Sequence, residues 1–187
     1  MNKKEFNEIV NNFYTFDFRL PEDFWFNKNK GRERYYDFLC YLVRQMGKDL
    51  QIIELGTDTG LSAKAFAYHN DNAIVNTIDH NLECVNNFSV KDVESICFYC
   101  WDINDVNHFN WFKDVDILFI DANHNKKDLL NQFKLWSPKV KKGGVILMDD
   151  IILNDEMKEA FEEIKKNNNT FELNGLHWSG FGAVIKK

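Results

Sequence analysis

Short apolar runs alternate along the chain with longer segments whose apolar positions recur every three to four residues. The runs have four to six residues and lie close to Gly, Asn or Asp, which is typical of buried strands. Strands are predicted at Gln51–Leu55, Ala73–Ile78, Ile96–Tyr99, Asp116–Ile120 and Val145–Met148, and helices at Leu61–Tyr68, Lys126–Trp136 and Asp155–Lys166. Because such alternation forms a parallel sheet with helices on both faces, the pattern predicts a doubly wound α/β fold.

The last segments of the chain have the pattern of a hairpin. Apolar residues recur in Phe171–Trp178 and in Gly182–Lys186, on either side of the turn-like Ser179-Gly180-Phe181. Such a pair predicts an antiparallel hairpin at one edge of the sheet. The complete sheet is therefore predicted to have seven strands, most of them parallel.

Two helices are predicted ahead of the sheet. They span Lys3–Phe13 and Arg32–Met46 and form an N-terminal helical cap over residues 1–48, while residues 49–187 form the core. A chain of 187 residues with 44% apolar content can bury the core of one domain, so a single domain is expected. Aromatic residues between the helices either cover a substrate pocket or pack the helices onto the sheet; they are Phe16, Phe18, Phe24 and Trp25.

The charge of the chain narrows the class of partner. A net charge of −6 argues against a nucleic acid or an anionic membrane as the main partner, because both bind clustered Lys and Arg. No stretch approaches the roughly 18 apolar residues of a membrane span, and the start MNKKEFNEIV lacks the apolar core of a signal peptide. We therefore expect a cytoplasmic protein with a small-molecule substrate.

The stretch IIELGTDTGLSAKAF, from Ile52 to Phe66, predicts a strand, a glycine-bracketed turn and a helix. Such a unit binds dinucleotides when a second glycine follows the first by two residues, because the backbone can then approach the pyrophosphate. Here that position is Asp58, whose carboxylate would repel a phosphate. The phosphate-binding pattern G-x-x-x-x-G-K-[ST] is also absent, so the sequence disfavours ligands with phosphate chains.

Asp79 ends the second predicted strand, nineteen residues after Gly60. A carboxylate at this point can accept hydrogen bonds from both hydroxyls of a ribose. Together with Asp58, it favours a ligand that contains adenosine without phosphates. A structural interpretation stays open, in which Gly56 and Gly60 only form a tight turn and Asp79 caps a helix.

The segment Glu54-Leu55-Gly56-Thr57-Asp58-Thr59-Gly60-Leu61-Ser62 matches the pattern E-x-G-x-x-x-G-x-S and resembles the class I S-adenosylmethionine-dependent methyltransferases. The resemblance covers about Ile52 to Ile151 and implies a Rossmann-like fold that binds S-adenosylmethionine. It implies that the turn binds the methionine end, and that acids after the second and third strands bind the ribose and the adenine amino group. The residues assigned to the cofactor in this way are Glu54, Gly56, Thr57, Gly60, Ser62, Asp79, His80, Asp102 and Asp121.

A second constellation lies in the segment LFIDANHNKKDLLNQFKLWSPKVKKGGVILMDDI. Asp121 follows the fourth predicted strand, and Asp149 and Asp150 follow the fifth, so adjacent parallel strands would bring three carboxylates to one edge of the sheet. Charged carboxylates that close repel one another. Either some are protonated or a hard cation lies among them, and oxygen ligands suit Mg²⁺ or Ca²⁺ better than zinc.

The spacing of these acids resembles that of the metal-dependent O-methyltransferases of the catechol and macrolide-sugar types, where two further ligands follow an Asp twenty-eight and twenty-nine positions later. The resemblance implies that Asp121, Asp149 and Asp150 bind Mg²⁺ or another divalent cation. His124 stands where the macrolide-sugar enzymes have a histidine, and an imidazole that titrates near neutrality would act as the general base. The other histidines are expected to have no comparable neighbours; they are His69, His80, His108 and His177.

Together, the residues and the resemblance predict an S-adenosylmethionine-dependent methyltransferase that methylates a hydroxyl on a small molecule, such as a sugar or a catechol, with the help of Mg²⁺. Two other functions stay open: a metal-free methyltransferase acting on N or O, and a domain that binds S-adenosylmethionine without catalysis. The short chain has few additional elements to enclose an acceptor. Its acceptor site is therefore expected to be open or to be completed by a partner subunit of a homo-oligomer.

Overall fold

The computed structural model of the protein describes residues 1–20, 34–68, 73–88 and 94–187. The strands are β1 (Gln51–Leu55), β2 (Ile74–Asp79), β3 (Ile96–Cys100), β4 (Val115–Ile120), β5 (Val140–Asp149), β6 (Asn169–Glu172) and β7 (Phe181–Ile185). The α-helices are α1 (Lys3–Thr15), α2 (Arg34–Met46), α3 (Leu61–Ala67), α4 (Lys126–Trp136) and α5 (Asp155–Lys165). Within these residues, none of the helices combines the length and the apolar character that a membrane crossing requires.

The described strands form one seven-stranded sheet in the order β3-β2-β1-β4-β5-β7-β6. Strands β1 to β5 are parallel, and β7 runs antiparallel to both β5 and β6. The prediction of a mostly parallel sheet with an antiparallel edge hairpin is confirmed. The strand order reverses between β1 and β4, and ligands of such sheets bind at this switch point, outside the carboxyl ends of the strands.

The edge hairpin forms, but its connection is longer than the sequence predicts. β6 ends at Glu172, whereas the apolar pattern predicts a strand that continues to Trp178. Gly175 adopts a left-handed conformation with φ of +78°, which interrupts the extended chain. Residues 173–180, the C-terminal loop, therefore lie against the end of β5 and do not extend the sheet.

β5 is also longer than its apolar run. It begins at Val140, five residues before the predicted start at Val145. Its first part pairs through the main chain: Val140 is in register with Val115, and the Gly143 N–H donates to the Lys186 carbonyl at 2.8 Å. An apolar pattern does not detect this part because its side chains are those of lysines and glycines.

Each face of the sheet has its own hydrophobic cluster. On one face, the buried rings of Phe6, Phe13 and Phe38 pack between α1, α2 and the strands. The centroids of Phe13 and Phe38 lie 5.3 Å apart in an edge-to-face arrangement. On the other face, Trp136 of α4 and Phe161 of α5 cover the strands. Both faces are thus covered, as a parallel sheet requires.

The aromatic residues around the end of α1 have different environments. Phe18 packs against the first cluster, whereas Phe16 is 73% exposed. The Arg34 guanidinium of α2 lies 4.4 Å from the ring centre of Phe13 and donates to the Phe18 carbonyl. This segment therefore contributes to the core where the structure describes it. Two other predicted members, Phe24 and Trp25, lie outside the described residues.

The ends of β1 and β4 approach each other very closely. The Gly56 N–H donates to the Ile78 carbonyl at 2.9 Å, and the Asp121 N–H donates to the Leu55 carbonyl at 2.9 Å. Gly56 has a φ of +94°, and a Cβ atom on it would lie 2.0 Å from the main-chain oxygen of Asp121. Only glycine fits here, so this contact determines how close the turn after β1 lies to the residues after β4.

Replacing Gly56 with alanine should destabilise the fold more than the same change at Gly47. Both glycines have positive φ, +94° and +107°, so alanine adds backbone strain at either position, of about 1–3 kcal/mol. A Cβ at Gly47 meets no atom within 4 Å. At Gly56 it overlaps Asp121, which should cost about 1–3 kcal/mol more. Urea denaturation of both variants measures the two losses of free energy of unfolding, and equal losses would contradict the assigned contact.

Candidate active site

A cleft of about 640 Å³ opens at the carboxyl edge of the sheet. Its walls are the turns after β1, β2, β3 and β4, together with the first residues of α2. Its volume is typical of sites that bind small molecules. The predicted site residues that line it are Gly56, Thr57, Ser62, Asp79, His80, Asp102, Asp121 and His124. The predicted site residues outside its lining are Glu54, Gly60, Asp149 and Asp150.

Asp79, the last residue of β2, organises the turn after β1. Its Oδ2 atom accepts hydrogen bonds from the N–H groups of Thr57, at 2.9 Å, and Asp58, at 3.3 Å. Its Oδ1 atom accepts one from the Asn81 N–H at 2.9 Å. The hydroxyl oxygens of Thr57 and Thr77 lie 2.6 Å apart. These contacts hold the turn against β2 and leave the Asp79 carboxylate at the cleft wall.

Gly60 and His80 relate to the cleft in different ways. Gly60 is the N-cap residue of α3 with a φ of +71°, and a Cβ atom on it would lie 2.7 Å from the Phe88 ring. The fold therefore requires glycine at this position independently of any ligand. His80 lines the cleft with a side chain that is 90% exposed, and its Nδ1 atom lies 3.5 Å from Asp79 Oδ1.

Glu54, near the end of β1, is a buried acid without a positively charged partner among the described residues. Its side chain is fully buried, and among the described residues its carboxyl has only the weak support of the Ser62 and Thr77 hydroxyls, which act to lower its pKa, and no cation. Burial raises the pKa of Glu54 to about 8. A buried polar group without a partner costs about 1–3 kcal/mol. A positively charged ligand group close to the adjacent turn would offset that cost.

The part of the cleft after β3 has an aromatic surface that the sequence analysis missed. Trp101 lines the cleft, and its ring stacks on His108 with the centroids 3.7 Å apart. The Trp101 indole N–H donates to Asp105 Oδ2 at 3.2 Å. Beside it, Asp102 Oδ1 accepts hydrogen bonds from the main chain and side chain of Asn104, at 2.8 and 3.0 Å. The signal in the sequence is an aromatic residue directly before the predicted Asp102.

Three predicted acids lie at the ends of β4 and β5. Asp121 follows β4, Asp149 ends β5, and Asp150 follows with a φ of +59°, which is rare for a residue other than glycine. The Nε2 atom of His124 lies 2.7 Å from Asp150 Oδ2 and 3.7 Å from Asp121 Oδ1. The imidazole therefore connects the ends of the two strands at the cleft.

These acids divide between two groups of side chains. In the part of the chain that the structure describes, two sets of three residues bring possible ligand atoms within 4.8 Å of one another. One set is Asp121, His124 and Asp150, and the other is Asp149, Asp150 and His177. The predicted metal ligands Asp121, Asp149 and Asp150 are therefore not together in one such set, because Asp149 is paired with His177.

The prediction that His177 has no neighbours comparable to those of His124 is wrong. The Nδ1 atom of His177 lies 2.8 Å from Asp149 Oδ1 and 3.6 Å from Asp150 Oδ1. His177 belongs to the C-terminal loop, where the apolar pattern predicts a strand. Its approach to the acids follows from the path of that loop, which no local sequence signal reveals. His69 lies outside the described residues.

The imidazole and the carboxyl groups of this network differ in the direction of their pKa shifts. The nearby carboxylates of Asp121 and Asp150 raise the pKa of His124 to about 10. Burial raises the pKa of Asp149 to about 7 and also raises the pKa of Asp121. Burial acts in the same direction on Asp150, but hydrogen bonds from His124 and Ser179 outweigh it and lower the pKa of Asp150. At neutral pH, an imidazolium at His124 therefore faces a carboxylate at Asp150.

This state of His124 differs from the prediction that it titrates near neutrality. The difference arises because two carboxylates, Asp121 and Asp150, lie close to the same ring. A cationic group that approached these carboxylates would compete with the imidazolium and lower the pKa of His124. The proton on this imidazole is therefore sensitive to the charge of whatever occupies the cleft.

Comparisons with known proteins agree with this architecture. The profile of the family described as "Methyltransferase domain" matches residues 53–151. A candidate caffeoyl-CoA O-methyltransferase from Staphylococcus aureus has a similar structure, with 18% identity, coverage of 100% of this chain and 93% of that chain, and a TM-score of 0.70. An O-methyltransferase from Bacillus cereus in complex with SAH has 17% identity, coverage of 100% and 92%, and a TM-score of 0.66.

A third similar structure is the O-methyltransferase TomG from Streptomyces achromogenes, involved in tomaymycin synthesis and solved in complex with SAM. It has 15% identity, coverage of 100% of this chain and 92% of that chain, and a TM-score of 0.66. At these identities the likeness demonstrates a shared fold. Because the family profile spans more than half of the chain, the protein belongs to the methyltransferase domain family, and the prediction of an S-adenosylmethionine-dependent methyltransferase is confirmed.

Proposed function

We propose that the protein transfers the methyl group of S-adenosylmethionine to a hydroxyl of a small molecule, with a divalent cation such as Mg²⁺ beside the acceptor. The observation that carries this proposal is the convergence of Asp121, His124 and Asp150. Two of these residues, Asp121 and His124, line the cleft that also contains Asp79 and the Gly56 turn. An imidazole beside two carboxylates can take a proton from a hydroxyl once a cation at those carboxylates has displaced its own proton. The similar structures named above as O-methyltransferases support this choice of acceptor atom by the likeness of their fold.

The charges around the cleft fit S-adenosylmethionine. Glu54 is a buried carboxyl without a cationic partner among the described residues, and the methionine end of the cofactor carries an ammonium group. Asp58 lines the cleft where it would repel a phosphate, and this cofactor has none. The proposed contacts are Glu54, Gly56, Thr57, Gly60 and Ser62 for the methionine end, Asp79 and His80 for the ribose, Asp102 for the adenine, and Asp121 beside the methyl group.

The acids at the ends of β4 and β5 fit a hard divalent cation, which prefers carboxylate oxygens. Asp121 and Asp150 would hold it, and Asp149, whose Oδ1 atom contacts His177, would be the third ligand. When bound, S-adenosylmethionine supplies a methyl group on a sulfonium, and the cation lowers the pKa of the acceptor hydroxyl. His124 would receive the hydroxyl proton on Nε2 after that nitrogen has released its own proton to solvent and its contact with Asp150 Oδ2 has opened.

A second candidate function is methyl transfer without a metal, to N or to O. One observation favours it: His124 Nε2 already lies 2.7 Å from Asp150 Oδ2, so this imidazolium neutralises a carboxylate that a cation would otherwise bind. In this alternative, Asp121 and Asp150 only orient His124. The two candidates differ in their response to a chelator, because only the first requires a divalent cation.

Replacing Glu54 with glutamine should weaken the binding of S-adenosylmethionine. The change keeps the shape of the side chain but removes the negative charge that the carboxyl is proposed to acquire when the bound ammonium group lowers its pKa. A hydrogen bond to a charged group is worth about 1.5–3 kcal/mol, so we expect the dissociation constant to rise by about tenfold or more. Calorimetric titration of both proteins with S-adenosylmethionine measures this change, and an unchanged affinity would remove Glu54 from the cofactor site.

The stability of the same variant provides the control. The Glu54 carboxyl has an ordinary pKa of 4.5 and a folded pKa of about 8, so the folded state binds its proton more tightly. Burial of this acid therefore destabilises the fold increasingly as pH rises from 4.5 to 8. Glu54→Gln removes this penalty, so its melting temperature relative to the wild type should be higher at pH 8 than at pH 5. Weaker binding in a more stable variant would exclude unfolding as its cause.

Replacing Asp121 with asparagine should abolish cation binding. Calorimetric titration of Mg²⁺ into protein saturated with S-adenosylmethionine is expected to give micromolar to millimolar affinity in the wild type and no detectable binding in Asp121→Asn. The matched control is Asp114→Asn, at the opposite end of β4, which should bind like the wild type. If the wild type also fails to bind Mg²⁺, the metal-free candidate becomes the better account.

A further inference from the structure

The C-terminal loop is fastened across the end of β5 by its main chain. The Ile152 N–H donates to the Ser179 carbonyl at 2.8 Å, and the Tyr35 N–H donates to the Leu176 carbonyl at 3.1 Å. The first bond ties the loop to the segment after β5, and the second ties it to the start of α2. These bonds define the path that brings the side chains of the loop to the acids at the end of β5.

Two side chains of this loop complete a chain of hydrogen bonds that ends at the cleft. His177 Nδ1 lies 2.8 Å from Asp149 Oδ1 and 2.8 Å from the Ser179 hydroxyl. The Ser179 hydroxyl donates to Asp150 Oδ1, while the other oxygen of that carboxylate, Oδ2, lies 2.7 Å from His124 Nε2. Because the serine proton points to Asp150, we assign His177 Nδ1 as the donor to Asp149 and to the Ser179 oxygen. Ser179 thus holds the Asp150 carboxylate at Oδ1, while Oδ2 of the same carboxylate contacts His124.

Burial separates this chain into an inner and an outer part. Asp149 is 3% exposed and Ser179 1%, and neither lines the cleft. The side chain of His124 is 41% exposed and lines it. A fully buried carboxyl needs a partner to stay in place, and His177 is the partner that Asp149 has. The buried residues Asp149 and Ser179 therefore support His124 from behind the cleft wall and are not themselves exposed to an acceptor.

We infer that His177 is a positioning residue of the methyl-transfer site: together with Ser179, it keeps Asp149 behind the cleft wall and orients the Asp150 carboxylate towards His124. The inference rests on the proposed function, because this orientation matters for methyl transfer only if Asp150 and His124 act on the acceptor. It also explains why three acids at the ends of neighbouring strands do not all face the cleft. Of this network, Asp121 and His124 line the cleft, and Asp150 contacts His124 without lining it.

The contact geometry distinguishes two conservative variants of His177. The side-chain amide of asparagine places an N–H donor as many bonds from Cβ as Nδ1 of histidine, whereas glutamine places it where Nε2 would be. Since the bond to Asp149 uses Nδ1, His177→Asn keeps the contact and His177→Gln loses it. Ser179→Ala provides an independent route, because it removes the donor to Asp150 without touching the bond between His177 and Asp149.

The test is an imidazole ¹H–¹⁵N NMR spectrum of the full chain at a single pH near neutrality, without added ligand. In the wild type, the N–H proton that His124 shares with Asp150 should give a strongly downfield signal, identified by its absence in His124→Gln. We expect that signal to remain in His177→Asn and to be lost or shifted in His177→Gln and in Ser179→Ala. An unchanged His124 signal in both of the latter variants would overturn the inference.

Two further readouts separate this result from other causes. The melting temperatures of His177→Asn and His177→Gln show whether a lost signal reflects a changed orientation of Asp150 or general unfolding. If His177→Gln does not fold, the signal of Ser179→Ala decides whether the loop orients Asp150. Calorimetric titration of the wild type with S-adenosylmethionine tests the proposed function separately. Absence of cofactor binding would refute that function, whereas the NMR comparison would still decide whether His177 orients Asp150.

Discussion

The contact between the main chains of Gly56 and Asp121 is the constraint on which the rest of the cleft depends. It places the turn after β1 directly against the residues after β4, so that the turn and the acidic groups share one cleft. Asp79 holds the same turn from the side of β2 by accepting the Thr57 N–H. The walls are therefore assembled from the main chain of three neighbouring strands, and the side chains that carry the chemistry are added to a rigid edge.

The acids of the site differ in charge because they differ in burial and in partners. Glu54 and Asp149 are buried, and burial raises their pKa values to about 8 and about 7. Asp150 is kept charged by the hydrogen bonds of His124 and Ser179. A positively charged ligand would be attracted to the carboxylates near the cleft. It would also be attracted to Glu54, and more strongly once Glu54 is deprotonated. This pattern fits a cationic cofactor better than a nucleotide with phosphates.

The fold and the strand-end acids were predictable because apolar runs mark parallel strands, and parallel strands end at the same edge of a sheet. The contact of His177 with Asp149 could not be predicted, because the two residues are 28 positions apart. They meet through a loop whose path depends on the conformation of Gly175. Spacing alone also cannot tell which of two adjacent acids contacts His124. Adjacent residues point in opposite directions at a strand end, and here Asp150 contacts His124 whereas Asp149 contacts His177.

A crystal structure of the protein with S-adenosylhomocysteine tests the central claim most directly. The account predicts the ligand in the cleft between the turns after β1 and β4, with its ammonium group at the Gly56 turn above Glu54 and its ribose hydroxyls on Asp79. Binding elsewhere, or binding in the cleft with the ribose away from Asp79 and Glu54 still without a partner, would contradict the assignment of the cofactor site.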